Sequence, residues 1–88
     1  MTPDMAPEDI KALLEAGIDG AEALVQGDGY KYELVVIAEV FTGLSPVKKQ
    51  QLVYGCINAH IADGSIHAVD IKTFTPAEWE QARRRGLA

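Results

Sequence analysis

The sequence has only one cysteine, Cys56, among its 88 residues, and it has few basic side chains. A single cysteine excludes an internal disulfide and any metal site built only from the cysteines of one chain. Eight Lys and Arg residues stand against 13 Asp and Glu, which gives a formal net charge of −5. That charge argues against nucleic-acid binding through bulk electrostatics, since phosphate neutralisation needs a surplus of cations.

Long apolar runs are also missing. No stretch approaches the roughly 18 apolar residues that a membrane span requires, and the first residues lack the basic-then-apolar pattern of a signal peptide. We therefore expect a cytoplasmic protein with no membrane partner. At 88 residues and without a linker-like change in composition, the chain is expected to form one domain over 1–88.

Signatures of catalysis are absent as well. The sequence shows no nucleophile–base pair, no paired carboxylates and no metalloprotease spacing. The segment Gly27-Asp28-Gly29 is too short to cradle a phosphate and is followed by a predicted strand. We predict that the protein is not an enzyme.

The most informative residues that are present lie near the end of the chain, around His67. Apolar Val69 and Ile71 alternate there with charged Asp70 and Lys72, which is typical of a strand with one buried face. Period two places His67 on the apolar face, at the end where that face reaches solvent. A histidine side chain in this position can act as a ligand.

A strongly marked helix follows this strand. Thr75 can cap it, Pro76 fits its first position, and Glu78 can reach back to the amide of the cap residue. Phe74 and Trp79 occupy the two hydrophobic-staple positions, so we expect Trp79 to be buried and to anchor the helix. The arginines and glycine that follow favour the end of the helix.

The rest of the chain alternates helix and strand signals. In order, they predict a helix from Pro7 to about Gly17, a hairpin of 21–26 and 32–38, and a helix from the cap Ser45 to about Ala62. The resulting order, α-β-β-α-β-α, predicts an α+β fold with a three-stranded mixed sheet and helices packed on one face.

Several of these segments occur together in one known family. They are Gly27-Asp28-Gly29, the stretch from Phe41 through Gly43, Ser45 and Val47-Lys48-Lys49-Gln50-Gln51 to Val53-Tyr54, then Ile66-His67-Ala68 and Thr75-Pro76-Ala77-Glu78-Trp79. In order and spacing they resemble the BolA family, most of all its YrbA-like (IbaG-type) subgroup. The resemblance extends from the first helix to the last.

The resemblance implies a fold similar to a class II KH domain. It also implies a role as partner of a monothiol glutaredoxin, in handling a [2Fe–2S] cluster that is shared with the glutaredoxin and glutathione. Such a role belongs to iron–sulfur and iron homeostasis. Some members of the family are instead described as stress-responsive transcriptional regulators.

The resemblance also changes the interpretation of His67. A histidine at a strand end is more often structural, but this one aligns with the cluster-binding histidine of BolA proteins, so we expect a ligand. The family's second ligand is a His or Cys in the loop between the first two strands. Lys31 occupies that position here, and an ammonium has no lone pair for a metal. Tyr30, Tyr32 and Asp28 offer oxygen atoms, which are poor ligands for a sulfide cluster, so a labile cluster is expected.

Two other groups have simpler interpretations. Cys56 and His60 are four apart on the second predicted helix, a spacing that can bind metal, but Cys56 is better explained as a small buried side chain. Lys48 and Lys49 are the basis of the alternative function, a DNA-binding stress regulator. A charged stretch is usually a solvated face, and the GXXG loop of an RNA-binding KH domain is absent.

A third hypothesis is a protein adaptor that binds no metal. The free protein is expected either as a monomer or as a homodimer.

Overall fold

The computed structural model of the protein describes residues 5–28 and 30–86. Its elements follow the predicted order: α1 (Pro7–Gly17), β1 (Glu22–Gly27), β2 (Lys31–Ile37), α2 (Pro46–Ala62), β3 (Ala68–Phe74) and α3 (Pro76–Arg84). A short 3-10 helix, Glu39–Phe41, was not predicted. Gly29, the last residue of the Gly27-Asp28-Gly29 segment, lies outside the described residues. In the described part of the chain, no helix is both long and apolar enough to cross a membrane.

The three strands form one mixed sheet in the order β1-β2-β3. β1 runs antiparallel to β2, with Ala23 opposite Val36. β3 runs parallel to β2, with Lys31 opposite Ala68 at the start of the ladder. A parallel pair requires a crossover connection, and α2 provides it. The predicted α+β class is confirmed.

The main core lies between the sheet and helices α1 and α2. The central strand β2 contributes Tyr32, Leu34 and Val36, which are fully buried and follow period two. The helices pack Leu14 and Val53, among others, onto this face. Because β2 is fixed by neighbours on both sides, its register determines which residues meet at the ends of the sheet.

The prediction that the helices pack on one face holds for α1 and α2, whereas α3 contributes to the opposite face, where Trp79 lines a surface pocket with Leu24 and Val35. Ile37 and Ala82 are buried but lie outside the main core cluster, and alternation along β2 points Ile37 away from α1 and α2. Phe74 and Trp79 meet edge to face, with ring centroids 5.2 Å apart. The predicted staple pair is therefore in contact, but Trp79 is only half-buried, because it lies at the end of an otherwise open face. The expectation of a buried Trp79 was wrong.

Helix boundaries lie where the cap residues predict them. The Thr75 hydroxyl accepts a hydrogen bond from the Glu78 amide at 3.2 Å, and Glu78 Oε1 accepts one from the Thr75 amide at 2.8 Å. Ser45 caps α2 in the same way. Gly86 follows α3 with a φ of 71°, a left-handed conformation that glycine adopts without strain. Local hydrogen bonding thus sets these helix boundaries.

An ion pair on α1 covers the outer edge of β1. Lys11 Nζ lies 2.7 Å from Glu15 Oε2 and donates to the Ala23 carbonyl at 2.8 Å. The Ala23 amide in turn donates to Glu15 Oε2 at 3.0 Å. Both backbone groups of Ala23 are thereby occupied, so this part of the edge cannot pair with another strand. We call this arrangement the Lys11–Glu15 clamp.

The clamp predicts a change in acid stability. Hydrogen bonds from Lys11 and the Ala23 amide lower the pKa of Glu15 below its ordinary value of 4.5. The ionised carboxylate therefore stabilises the fold above that value, and the contribution is lost as the pH falls through the lowered pKa. Glu15→Gln should reduce the melting temperature near neutral pH, and the difference from the parent should shrink as the pH falls below 4.5.

Thermal melts across this pH range check the prediction, with Glu22→Gln, an exposed carboxylate on β1, as the control. If the difference in melting temperature between the parent and Glu15→Gln stays constant over the whole pH range, ionisation of Glu15 does not contribute to the stability of the fold.

Candidate functional site

Tyr30 and His67 meet at the open start of the parallel β2/β3 ladder. Each residue directly precedes its strand, and the Ala68 amide donates to the Tyr30 carbonyl at 3.2 Å. Their rings stack, with centroids 5.7 Å apart and planes inclined by 17°. Tyr30 is 70% exposed, and His67 is also exposed. The imidazole is thus positioned by the sheet yet accessible to a second molecule.

A turn centred on Asp28 holds the Tyr30 side of this site. Asp28 Oδ1 accepts hydrogen bonds from the amides of Tyr30, at 2.9 Å, and Lys31, at 3.1 Å. The bonds from the Lys31 and Tyr30 amides lower the pKa of the Asp28 carboxyl. Asp28 therefore acts as a backbone-binding carboxylate of the kind common in turns. The hydroxyl of Tyr32, another of the three oxygen donors named from the sequence, is directed to the Met5 carbonyl.

Lys31 lies beside the site but on the other side of the sheet. Its backbone pairs with Ala68, and its exposed side chain lines a shallow surface pocket with Gln26 and Glu33. Alternation along β2 places Tyr30, rather than Lys31, on the side of His67. Sequence reasoning missed this pairing. The two-residue alternation of β2, extended back from Tyr32 to Tyr30, would have predicted the face of the sheet on which Tyr30 lies. It would not have predicted how β2 aligns with β3.

The site presents one imidazole from this chain. Within residues 5–28 and 30–86, no three His, Cys, Asp or Glu side chains lie close enough together to hold a metal ion. His67 can serve as a single ligand in a centre that a second molecule completes, or as a hydrogen-bonding group at an interface.

Cys56 has a packing role. Its thiol is half-buried against Gly17 of α1, where an added Cβ would lie 2.6 Å from the sulfur, and it donates to the Leu52 carbonyl at 3.4 Å. Burial raises the pKa of the Cys56 thiol. These contacts agree with a small side chain that fills the space between α1 and α2.

Lys48 and Lys49 lie in the first turn of α2 and differ in their surroundings. Lys48 is exposed, and its amide donates to the Ser45 hydroxyl at 3.2 Å. Lys49 is half-buried. The Thr75 amide is the main cause of a lowered pKa at Glu78, and the charge of Lys49 contributes to the same shift. Lys49 therefore lies near enough to the Glu78 carboxylate for their opposite charges to attract each other.

Comparison with known proteins agrees with this architecture. The family model described as BolA-like protein matches residues 14–78. The chain is 44% identical over 80 residues to the acid stress protein IbaG of Escherichia coli K12, covering 91% of this chain and 95% of that protein. A BolA homologue from Coxiella burnetii has a similar structure, with a TM-score of 0.77 and 34% identity over 86% of this chain and 97% of that one.

A second solved structure, the BolA domain of SufE1 from Arabidopsis thaliana, matches with a TM-score of 0.68 and 30% identity, covering 82% of this chain and 93% of that one. Sequence and structure thus agree on the relationship over most of the chain. The protein belongs to the BolA-like family.

Proposed function

We propose that this protein is an adaptor that binds a monothiol glutaredoxin and, together with it, holds and passes on a [2Fe–2S] cluster, with His67 as a ligand. The observation that carries the proposal is the exposed imidazole of His67, positioned against Tyr30 at the open start of the β2/β3 ladder. The relative from E. coli is named an acid stress protein. We place the adaptor in stress-responsive iron–sulfur and iron homeostasis, and the chemistry belongs to the cluster.

The chemistry of the side chains supports a shared cluster. A neutral imidazole can replace a thiolate on one iron of a [2Fe–2S] centre. The glutaredoxin cysteine and glutathione would supply the thiolates that this chain does not place at the site. Beside His67, the chain offers the Tyr30 phenol, which is a poor ligand for a sulfide cluster. The Lys31 ammonium has no lone pair, and it lies on the other side of the sheet. A cluster held by a single good ligand on this side should be lost readily.

His67→Ala should remove the visible absorbance of the mixed complex while the two proteins still associate, because the ligand is lost and the exposed surface otherwise remains. Co-expression with a monothiol glutaredoxin, followed by size exclusion with absorbance detection, measures both properties. His60→Ala is the matched control, since it removes the chain's other histidine from α2. An unchanged spectrum in His67→Ala would contradict the proposed ligand.

The same complexes can show whether the absence of a second ligand makes the cluster labile. The quantity measured is the rate at which the cluster is lost to a chelator. Tyr30→His should slow the loss, because alternation places position 30 on the side of His67. Lys31→His should slow it less, because its side chain points to the other face. Equal decay for the parent, His67→Ala and both loop variants would favour an adaptor that binds no metal.

A duplex-DNA titration near physiological salt separates the adaptor from the alternative, a regulator that uses Lys48 and Lys49. The net charge of −5 and the carboxylate near Lys49 favour weak, salt-dependent binding. Tight, sequence-selective binding that is lost in the Lys48→Ala/Lys49→Ala variant would favour the regulator.

A further inference from the structure

The two edges of the sheet differ in whether their backbone groups have partners. The Lys11–Glu15 clamp occupies both backbone groups of Ala23 on β1. On β3, the Ala68 amide bonds to the Tyr30 carbonyl and the Phe74 carbonyl accepts from the Ala38 amide. The backbone amides and carbonyls of successive residues in a strand point to alternate sides. Those of residues 68, 70, 72 and 74 therefore bond to β2, whereas those of residues 69, 71 and 73 point outward.

These outward groups have no hydrogen-bond partner among the residues that the structure describes. The side chains along this edge are also incompletely covered. Val69 and Ile71 face the core but are only half-buried, whereas Tyr32 and Leu34, opposite them on β2, are fully buried. The edge of β3 therefore exposes both unpaired backbone groups and apolar surface, as a pairing edge does.

We propose that β3 pairs antiparallel with β3 of a second copy of the chain, around a two-fold axis at Ile71. Val69 then lies opposite Thr73 of the second copy, Ile71 opposite Ile71, and Thr73 opposite Val69. All of these residues have outward backbone groups, so each pair exchanges two hydrogen bonds. Joining the two edges makes one continuous six-stranded sheet.

The charges on the outer face support this register. Asp70 lies opposite Lys72 of the second copy, and the symmetry repeats this opposite-charge pair on the other side of the axis. Ala68 lies opposite Phe74, so a small residue faces a large one. Cross-strand pairs of opposite charge stabilise a sheet, and like charges destabilise it. The sequence of β3 is thus complementary to itself when it is inverted about Ile71.

Neighbouring registers are poorer. An axis at Asp70 or Lys72 also pairs outward groups with outward groups, but it places Asp70 opposite Asp70 or Lys72 opposite Lys72, and like charges opposite each other destabilise a sheet. An axis midway between two residues would direct groups already bonded to β2 toward the new strand. An axis at Val69 or Thr73 keeps the hydrogen-bond pattern, but only residues 68–70 or 72–74 of the two strands overlap. One strand per copy is a small interface, so the dimer is weak and depends on concentration.

Charge variants test the proposal, because Asp70 and Lys72 are exposed and their replacement should not affect folding. Asp70→Lys or Lys72→Asp alone turns both attractive pairs into repulsive ones and should weaken self-association at least about tenfold. Mixing the two single variants should restore dimers, because every pair is then of opposite charge. The double variant Asp70→Lys/Lys72→Asp should self-associate like the parent.

Sedimentation equilibrium at up to roughly 1 mM protein measures these associations. Amide hydrogen exchange by NMR checks the interface itself. The amides of residues 69, 71 and 73 should be protected in the parent at high concentration and not in the single variants, whereas those of residues 70 and 72 should be protected in all. A parent that stays monomeric, or single variants that self-associate like the parent, would overturn the proposal.

Discussion

Tyr32→Ala should lower the free energy of unfolding by about 3–5 kcal/mol, the cost of removing a large aromatic ring from a packed core. Tyr32 is fully buried in the central strand, where its hydroxyl also donates to the Met5 carbonyl. Tyr30→Ala, two residues earlier, should change the same quantity by less than about 0.5 kcal/mol, because Tyr30 is 70% exposed. The two tyrosines form a matched pair.

Urea denaturation of both variants measures this difference. Tyr32→Phe serves as a further control, since it keeps the ring and removes the hydroxyl, and it should cost about 1 kcal/mol. Similar losses for Tyr30→Ala and Tyr32→Ala would show that β2 does not direct Tyr32 into the core.

Gly27→Ala should destabilise the protein by about 2–3 kcal/mol through overpacking at the end of β1. A Cβ on Gly27 would lie 2.5 Å from the Lys31 carbonyl oxygen and 2.6 Å from Cδ1 of Tyr32. The first of these atoms belongs to the backbone of the hairpin, so the chain itself would have to move. The substitution would also disturb the turn that holds Tyr30 beside His67.

Gly55→Ala provides the opposite control. Gly55 lies exposed within α2, and an added Cβ there would meet no atom within 4 Å. Alanine favours the helix over glycine, so this variant should gain about 0.5–1 kcal/mol. Thermal or urea melts of the two variants should therefore move in opposite directions. A stabilising effect of Gly27→Ala would mean that the hairpin is looser than the structure shows.

The candidate site was predictable in part. His67 could be located from the alternation that follows it, and its role as a ligand came from the resemblance to BolA proteins. The position of Lys31 was also given by that resemblance. The residue that contacts His67, however, is Tyr30, and the contact depends on how β2 and β3 align. A crossover helix separates the two strands, so no local signal fixes their register.

The sequence by itself determined the order and the approximate boundaries of the α-helices and strands, but not the 3-10 helix Glu39–Phe41. Caps such as Ser45 and Thr75 bond to amides three residues away, and apolar periodicity acts within one element, so both can be read without knowledge of the rest of the chain.

Only the tertiary structure decided the half-buried position of Trp79, the Lys11–Glu15 clamp on Ala23, and the difference between the two sheet edges. Each depends on which distant segments come together when the sheet and helices pack. The exposure of a side chain or a strand edge is set by those neighbours, because hydrophobic burial and hydrogen bonding across the fold depend on positions in space rather than on separation along the chain.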